Sequence, residues 1–431
     1  MELNRRRFLQ ASGFGAAGLF MAACGKRDTG TTTPSAGSSS ATAAATSGAS
    51  GSSSSAVGKI DLKGAPVAAL FTSLNNDYYA SWDLGAKRAV QAMGGEYRPF
   101  TNEGDPAKQI SQFEQQVEAG AKIFFMTAPD PADTQTIAKM ATEKGVFLTN
   151  TWEASPFSSP FDYGDGYVTY FTPRSEQAGY EVAKALFEKM GGKGNLVHLT
   201  GHPGSTPDTQ RTLGVDRALA EYPNIKMIAR QPGEWNRDDS RKAMAGIITK
   251  YGKEIKGVFG QNDDVGIGAV NALSEAGITG VPVTGIDGNK GTMDLVKAGS
   301  YFGSYSSLPF WQAGFSAVRS VDAFLGVKFT PLDRQVWTDG LFVTKDNVDS
   351  YLSVFFGDKD PYDWQLMSRY AHPTDWDPQN GIHALDLIKM WTGFDKQKPS
   401  GWKAPATYTA EASKIGATDK EWASHWKIKL P

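Results

Sequence analysis

Residues 66–95 read PVAALFTSLNNDYYASWDLGAKRAVQAMGG, and this stretch decides the fold class. Its first part, 67–72, is a short apolar run that predicts a buried β-strand. From 79 to 93 the apolar residues recur at helical spacing, and the stretch ends at the pair Gly94-Gly95, which is typical of a helix stop. A strand followed directly by an amphipathic helix predicts one βα unit of a parallel sheet.

The same alternation of strand and helix continues along the chain. Two helix starts carry Asp followed by Pro, at Asp105-Pro106 and Asp130-Pro131, and so combine a capping side chain with a residue suited to the first helical turn. An irregular passage at 155–166, rich in Pro, Ser and Gly, separates two sets of elements. Two consecutive doubly wound sets predict two α/β lobes rather than one large sheet. The further predicted strands are 122–127, 146–150, 195–199, 226–231, 257–260 and 281–286.

The N-terminus carries the features of an export signal. Three arginines at 5–7 precede an uncharged run at 14–23 that is too short to span a bilayer. The stretch NRRRFL resembles a twin-arginine signal, and MAAC resembles a lipobox whose usual leading Leu is Met here. These features predict a signal peptide over 1–24, with Cys24 as the acylated first residue of the mature chain. The alternative is a short buried N-terminal helix.

Composition limits the compartment and the partners. Cys24 is the only cysteine in 431 residues, so no internal disulfide can form. The stretch 25–58 consists largely of Ser, Thr, Ala and Gly, and predicts a disordered linker. A net charge of −2 gives no basic field for a phosphate backbone, so no nucleic-acid partner is expected. No later stretch is apolar for long enough to cross a membrane.

Polar and aromatic residues follow the predicted strands, which is where ligands bind in open α/β sheets. Amide, carboxylate and guanidinium groups exchange hydrogen bonds with hydroxyls, and flat rings cover the C–H faces of a carbohydrate. The pattern predicts a site for a polyhydroxylated molecule. Asn and Asp after a strand are also ordinary turn residues and caps, and Asp130 and Asp208 are favoured as plain caps. The candidate ligand-binding residues are Asn76, Tyr78, Tyr79, Asn150, Trp152, Arg211, Trp235, Asn262 and Asp287.

Several short motifs together resemble a known family. They are LNNDYY at 74–79, the segment 208–215 with Arg211, GQNDD at 260–264 and GIDG at 285–288. In this order, from about residue 66 to residue 330, the chain resembles the ribose-binding protein family of type I periplasmic sugar-binding proteins. The order of the motifs is specific, whereas any one of them alone is a weak signal.

The resemblance implies which side chains meet a sugar. Arg211 would bind hydroxyls in a bidentate manner, Asp287 would accept hydroxyl protons, and Ser307 stands where the family has a glutamine. Tyrosine or tryptophan replaces phenylalanine at three pocket positions, which indicates a ligand other than ribose, such as a different pentose, a hexose, a polyol or a cyclitol. The remaining contacts would come from Asn76, Tyr78, Tyr79, Trp235 and Asn262.

The family also implies an architecture and a role. Two Rossmann-like lobes, formed by 59–172 with 309–335 and by 173–308, would be joined by three hinge strands and would close on the ligand. The ligand, a sugar or sugar alcohol, would pass to an ABC transporter permease with a cytoplasmic ATPase. The mature protein would be a monomer held outside the cell membrane, or in the periplasm, by lipid on Cys24, with no cofactor, metal or catalytic residue.

Competing functions have weaker support in the residues. A nucleoside-binding or sensory receptor of the same fold stays open, because Tyr78 and Trp235 would also stack on a purine. A carbohydrate-acting enzyme is not favoured, since His198 and His202 lack the spacing and the helical Glu of a zinc motif. A transcriptional regulator would need a DNA-binding helix pair where this chain has an export signal.

The segment 336–431 extends past the resemblance and is rich in tryptophan. Two interpretations of this extension are open. Its rings pack against the lobes as a wrap, or it contacts the hinge or the pocket rim and limits ligand size. Its tryptophans are Trp337, Trp364, Trp376, Trp391, Trp402, Trp422 and Trp426.

Overall fold

The computed structural model describes residues 58–428; the predicted signal peptide, Cys24 and nearly all of the predicted linker lie outside them. Within this range the strands are β1 (Pro66–Phe71), β2 (Glu96–Thr101), β3 (Ile123–Thr127), β4 (Phe147–Thr151), β5 (Tyr167–Pro173), β6 (Gly194–Thr200), β7 (Ile225–Pro232), β8 (Ile255–Gly260), β9 (Val283–Asp287), β10 (Gly303–Ser306), β11 (Gln335–Thr338), β12 (Leu341–Thr344) and β13 (Ile382–Ala384). The helices are α1 (Asp77–Ala92), α2 (Pro106–Glu118), α3 (Pro131–Glu143), α4 (Ser175–Lys189), α5 (Thr206–Glu221), α6 (Arg237–Tyr251), α7 (Asp263–Glu275), α8 (Lys290–Ala298), α9 (Pro309–Phe324), α10 (Val348–Phe355), α11 (Trp364–Met367), α12 (Leu387–Met390), α13 (Ala406–Glu411) and α14 (Ile415–His425).

The strands form two separate sheets. The first lobe contains a sheet in the order β13-β11-β5-β4-β3-β1-β2, and the second contains one in the order β12-β10-β9-β8-β6-β7. The pairings in each sheet are parallel except one: β13 pairs antiparallel with β11 in the first sheet, and β12 pairs antiparallel with β10 in the second. The predicted class of two doubly wound parallel lobes is therefore confirmed.

Short polar side chains begin the early helices as the sequence predicts. Asn76 caps α1 by accepting hydrogen bonds from the backbone N–H groups of the two tyrosines that follow, at 2.8 and 3.4 Å. Asp105 and Asp130 cap α2 and α3, and each is followed by proline at the first helical position. These caps fix where each helix leaves the end of a strand, which is where a site can form.

Asp208 does not have the predicted role of a plain cap. Helix α5 begins after Ser205, so Asp208 lies inside its first turn. There its Oδ1 accepts a hydrogen bond from the backbone N–H of Gly201 at 2.9 Å. The prediction is wrong because the cap position depends on where the preceding loop turns, and Asp208 instead ties that loop to the helix.

Helix α9 is buried on almost every side. It packs on α1 and on strands β3, β4 and β5 of the first lobe. Its other face is covered by Trp364, in the C-terminal segment that follows β12. The ring of Trp364 packs directly on Gly314, where an added Cβ would lie 2.1 Å from the indole. Because α9 is buried on both faces, including its polar residues, the C-terminal segment completes the core of the first lobe.

The chain passes between the lobes at three places along the parallel sheets. These are the connections from β5 to α4, from β10 to α9 and from β11 to β12. A fourth passage follows: α10 packs on α8 of the second lobe, whereas α11 packs on α9 of the first. The C-terminal segment thus adds one connection to the three-strand hinge.

The predicted start of the extension at residue 336 is too early. Strand β11 pairs with β5 in the first sheet, and β12 pairs with β10 in the second, so both belong to the lobes. Only the chain after β12 lies outside the parallel sheets, and β13 then returns to the edge of the first one. Strands of only four residues, such as β11 and β12, carry too little pattern to be recognised in the sequence.

Candidate functional site

A cavity of about 430 Å³ lies between the two lobes at the carboxyl ends of their strands. Eight of the ten predicted ligand-binding residues line it: Asn76, Tyr78, Tyr79, Trp152, Arg211, Trp235, Asn262 and Asp287. Its other lining residues include Thr72, Ser73, Ala128, Glu153, His202, Ser205 and Glu234.

The first-lobe wall is a layer of aromatic side chains. The rings of Tyr78 and Tyr79 meet edge to face with centroids 5.1 Å apart, and Trp152 lies 6.1 Å from Tyr78. Trp152 Nε1 donates to the Tyr78 hydroxyl, which donates in turn to Gln312 Oε1 at 2.9 Å. Because these hydrogen bonds lie within the protein, they hold the rings in place before any ligand arrives.

Arg211 lies between tryptophans from opposite lobes. Its guanidinium carbon is 5.2 Å from the ring centre of Trp152 and 5.4 Å from that of Trp235, within the range of cation–π attraction. Its Nη1 donates to the backbone oxygen of Gln261 at 2.6 Å. Burial lowers the pKa of Arg211, and the carboxylate of Asp287 opposes that shift. Arg211 therefore presents its remaining N–H groups in a fixed orientation.

Trp235 is held in place by an unusual backbone and by a glycine opposite its ring. Both Glu234 and Trp235 have positive φ, 52° and 58°, which turns the indole into the cavity. The ring occupies the space beside Gly201, where a Cβ would lie 1.9 Å from Cζ2 of the indole. A side chain at position 201 would displace the ring, so this glycine is required for the geometry of the site.

Asp287 ends β9 with its carboxylate at the cavity. The loop after it is held by Asp263, whose Oδ2 accepts from the N–H groups of Gly288 and Asn289 at 3.0 and 2.8 Å, and whose Oδ1 accepts from Ser304 Oγ at 2.6 Å. Burial raises the pKa of Asp263 to about 6. Burial, with Asp263 close by, raises the pKa of Asp287 well above its usual range. Asp287 is therefore poised to exchange hydrogen bonds with a hydroxyl.

Glu153 is a cavity residue that sequence reasoning missed. Its Oε2 accepts a hydrogen bond from the backbone N–H of Thr206, at the start of α5 in the opposite lobe, at 3.0 Å. Burial raises its pKa to about 7, and the neighbouring Asp130 and Asp133 add to the shift. Glu153 directly follows Trp152, so its place in the same loop was the only available signal. A carboxylate that caps a helix of the other lobe ties the two lobes together.

Further hydrogen bonds cross the mouth of the cavity. Asn76 Nδ2 donates to Asp264 Oδ2 at 2.9 Å, and Arg237 bonds both Asp264 and Asp77, at 2.6 and 2.9 Å. With its Oδ1 engaged in capping α1, Asn76 has protein partners on both amide atoms. Because these hydrogen bonds join the two lobes, the structure is the closed form of the protein. Asn76 therefore joins the lobes as well as lining the cavity.

Two predicted ligand contacts do not reach the cavity. Asn150 is fully buried, and its Nδ2 donates to the backbone oxygen of Glu153 at 2.6 Å and to the hydroxyl of Tyr167 at 3.2 Å. Ser307 is buried at the passage from β10 to α9, where its backbone oxygen accepts from Gln312. These predictions are wrong because both side chains face the interior of the protein, and Asn150 supports the loop that carries Glu153.

The structure offers no metal centre and no membrane-spanning helix within residues 58–428. No group of three His, Cys, Asp or Glu side chains in this range is arranged to hold a metal ion. None of the helices there combines the length and the apolar composition needed to cross a bilayer.

Comparison with known proteins identifies the family. The model of the periplasmic binding protein domain matches residues 67–328. The chain belongs to the periplasmic binding protein family. The predicted resemblance to its sugar-binding members is confirmed: the ribose import binding protein of Salmonella typhimurium is 25% identical over 261 residues, which are 60% of this chain and 84% of that protein.

Two other proteins are more similar in sequence. The xylitol-binding protein of Mycolicibacterium smegmatis is 40% identical over 181 residues, which are 41% of this chain; the match spans half the length of that relative. A solved structure of a twin-arginine translocation pathway signal protein from Burkholderia phytofirmans is 30% identical, with a TM-score of 0.66 over 69% of this chain and 95% of that one. This periplasmic binding protein therefore shares its fold with the Burkholderia protein, and the family match ends before α10.

Proposed function

We propose that this protein captures a neutral sugar or sugar alcohol outside the cell membrane and delivers it to an ABC transporter permease driven by a cytoplasmic ATPase. The observation that carries the proposal is the cavity between the closed lobes, which Arg211 and Asp287 line from one lobe and the hydroxyl-bearing rings of Tyr78 and Tyr79 line from the other. Such donors and acceptors suit vicinal hydroxyls. The sugar and sugar alcohol named for the relatives support the same ligand class.

The charges of the cavity favour a neutral ligand over an acidic one. Arg211 is the single buried cation among its lining residues, and Asp287 and Glu153 are buried carboxyls beside it. One carboxyl that ionises beside Arg211 balances its charge, so a neutral ligand leaves the buried site without net charge. A sugar acid or sugar phosphate would require both carboxyls to stay protonated, because like charges close together in a buried site are unfavourable. The same groups, ionised or protonated, can accept from or donate to hydroxyls.

A nucleoside has less support. The guanidinium of Arg211 lies over both Trp152 and Trp235, so less ring surface remains for a stacked purine. The nucleoside or sensory receptor therefore stands as the second outcome of the experiment below rather than as a second proposal.

The N-terminal features support export as a lipoprotein, and the name of the similar Burkholderia protein supports the twin-arginine route. Cys24 in the lipobox-like MAAC would carry the lipid, and the paired arginines would direct the chain to the twin-arginine route. Metabolic labelling with a lipid precursor, compared between the natural chain and Cys24→Ser, tests the anchor. Equal labelling of both would contradict it.

A thermal-shift screen tests the ligand class. A ligand at a hundred times its dissociation constant adds about 2.7 kcal/mol to the free energy of unfolding, so pentitols, hexitols, pentoses, hexoses and cyclitols should separate clearly from non-ligands. The Arg211→Met variant should lose the shift. Arg217→Met, which changes an exposed arginine on the same helix, should keep it. A shift with nucleosides alone would replace the proposal, and no shift with any compound would refute it.

A further inference from the structure

The C-terminal segment reaches the loop that forms the first-lobe wall of the cavity. Within residues 387–402, here called the strut, Trp391 and Trp402 lie 5.8 and 5.0 Å from the ring of Phe157. Trp402 Nε1 also donates to the backbone oxygen of Phe157 at 2.7 Å. Phe157 lies four residues after Glu153, in the loop that carries the cavity side chains. The strut therefore supports that loop from the side away from the ligand.

The same strut touches the second lobe. Gln210 on α5 is buried, and its Nε2 donates to the backbone oxygen of Met390 at 3.2 Å and contacts the Met390 sulfur at 3.0 Å. Gly393, with a φ of 86°, packs so closely on Leu213 that a Cβ there would lie 2.7 Å from the leucine side chain. Gln210 directly precedes Arg211, so the strut contacts the helix that presents the buried cation.

Apart from its contacts with α5, the strut is held to the first lobe through Phe157 and through strand β13. Strand β13 precedes it and pairs with β11 in the first sheet, and the backbone N–H of Leu387 donates to the hydroxyl of Tyr408 at 3.0 Å in the same segment. If the lobes separate about the hinge, the strut moves with the first lobe. Its contacts with Gln210 and Leu213 must then break.

We propose that the strut is a positioning element of the binding site, which joins the Glu153 loop of one lobe to α5 of the other and favours the closed form. The proposal rests on the proposed function in that closure traps the ligand. A buried hydrogen bond contributes about 1 kcal/mol, which is about fivefold in an equilibrium constant. Loss of the bond between Gln210 and Met390 should therefore lower the ratio of closed to open protein by about fivefold.

Spin-label distances test the strut without a ligand. The full chain carrying Cys24→Ser has no other cysteine, so Glu114→Cys and Ala245→Cys place labels on exposed helix positions of the two lobes. Pulsed electron–electron double resonance then measures the distance between the two labels. Gln210→Met should increase the population at long distance, and Gln115→Met, at an exposed position of the first lobe, should not.

Ligand affinity supplies the second measurement. With the polyol selected by the thermal screen, Gln210→Met should raise the dissociation constant about fivefold, and Trp402→Phe, which removes the bond at the other end of the strut, should shift it in the same direction. If no polyol binds the natural protein, the proposed function fails. The spin-label distances still test whether the strut favours the closed form, because they are measured without a ligand. Unchanged distances in both Gln210→Met and Trp402→Phe would overturn the inference. If Gln210→Met does not fold, unchanged distances in Trp402→Phe alone would overturn it.

Discussion

Replacing Glu153 with Gln is expected to flatten the pH dependence of ligand binding. In the closed structure the carboxyl is buried and accepts from the N–H of Thr206 in the other lobe. Gln keeps the size of the side chain and an oxygen that can accept the same hydrogen bond. The substitution therefore removes the charge with little other change.

The pKa of Glu153 determines how strongly the stability of the closed form depends on pH. Its value of about 7 in the closed form compares with about 4.3 for a solvated glutamate, which is the state expected when the lobes are apart. Closure thus takes up a proton between about pH 4.3 and pH 7, so the closed form loses stability as the pH rises through that window. Over the whole window the cost is roughly 3–4 kcal/mol, since one unit of pKa equals about 1.4 kcal/mol.

Titration calorimetry at pH 5, 6, 7 and 8 measures the effect. The dissociation constant of the natural protein should rise by up to about tenfold per pH unit between pH 5 and 7, and that of Glu153→Gln should rise less. Some slope should remain, because the raised pKa of Asp287 acts in the same direction. Glu118→Gln, at an exposed position, is the control. Identical slopes in Glu153→Gln and the natural protein would refute the role given to this carboxyl.

Three further outcomes follow from contacts in the lobes. Gly201→Ala should displace the ring of Trp235, cost about 1–3 kcal/mol in the free energy of unfolding and weaken ligand binding, whereas Gly246→Ala, with no atom within 4 Å of the added Cβ, should do neither. Asp263→Asn should lower the free energy of unfolding in urea by about 1–3 kcal/mol, because an amide replaces an acceptor of three hydrogen bonds; a loss below about 0.5 kcal/mol would contradict this. Deletion of 358–431 should leave the first lobe unfolded, seen as partial loss of the near-ultraviolet circular dichroism signal, and a deleted chain with the natural spectrum would show that α9 needs no cover.

The lobes were predictable because their signals are local. Buried parallel strands such as β1 and β3 read as unbroken apolar runs, and Asp-Pro pairs mark the starts of helices α2 and α3. Strand β2 was missed because it lies at the edge of the sheet, is partly exposed throughout and contains Pro99. An edge strand of that kind shows neither alternation nor an apolar run.

The cavity was predictable in outline for a topological reason. The carboxyl ends of parallel strands meet at one edge of a sheet, so residues after each strand converge even when they are far apart in sequence. Side-chain direction did not follow from that rule. Trp152 has a φ of 70°, and no sequence pattern shows that the chain turns there so that Glu153 faces the cavity while Asn150 faces the interior.

The two interpretations of the extension are not exclusive. Trp364 packs against Gly314 as part of a wrap, whereas Trp402 supports a loop of the cavity. Its tryptophans are spread over irregular chain between short elements, so sequence alone could not say which ring does which. The limit on ligand size that the second interpretation included stays a prediction.

The burial of α9 has a consequence for the order in which the chain can fold during synthesis. The elements from α4 to β10 are contiguous in sequence and can assemble as soon as they leave the ribosome, whereas the first lobe waits for α9 and then for Trp364 to cover it. The part of the protein made first is therefore completed last. If the twin-arginine route, which carries folded proteins, is used, the signal at the N-terminus must wait for nearly the whole chain before transport begins.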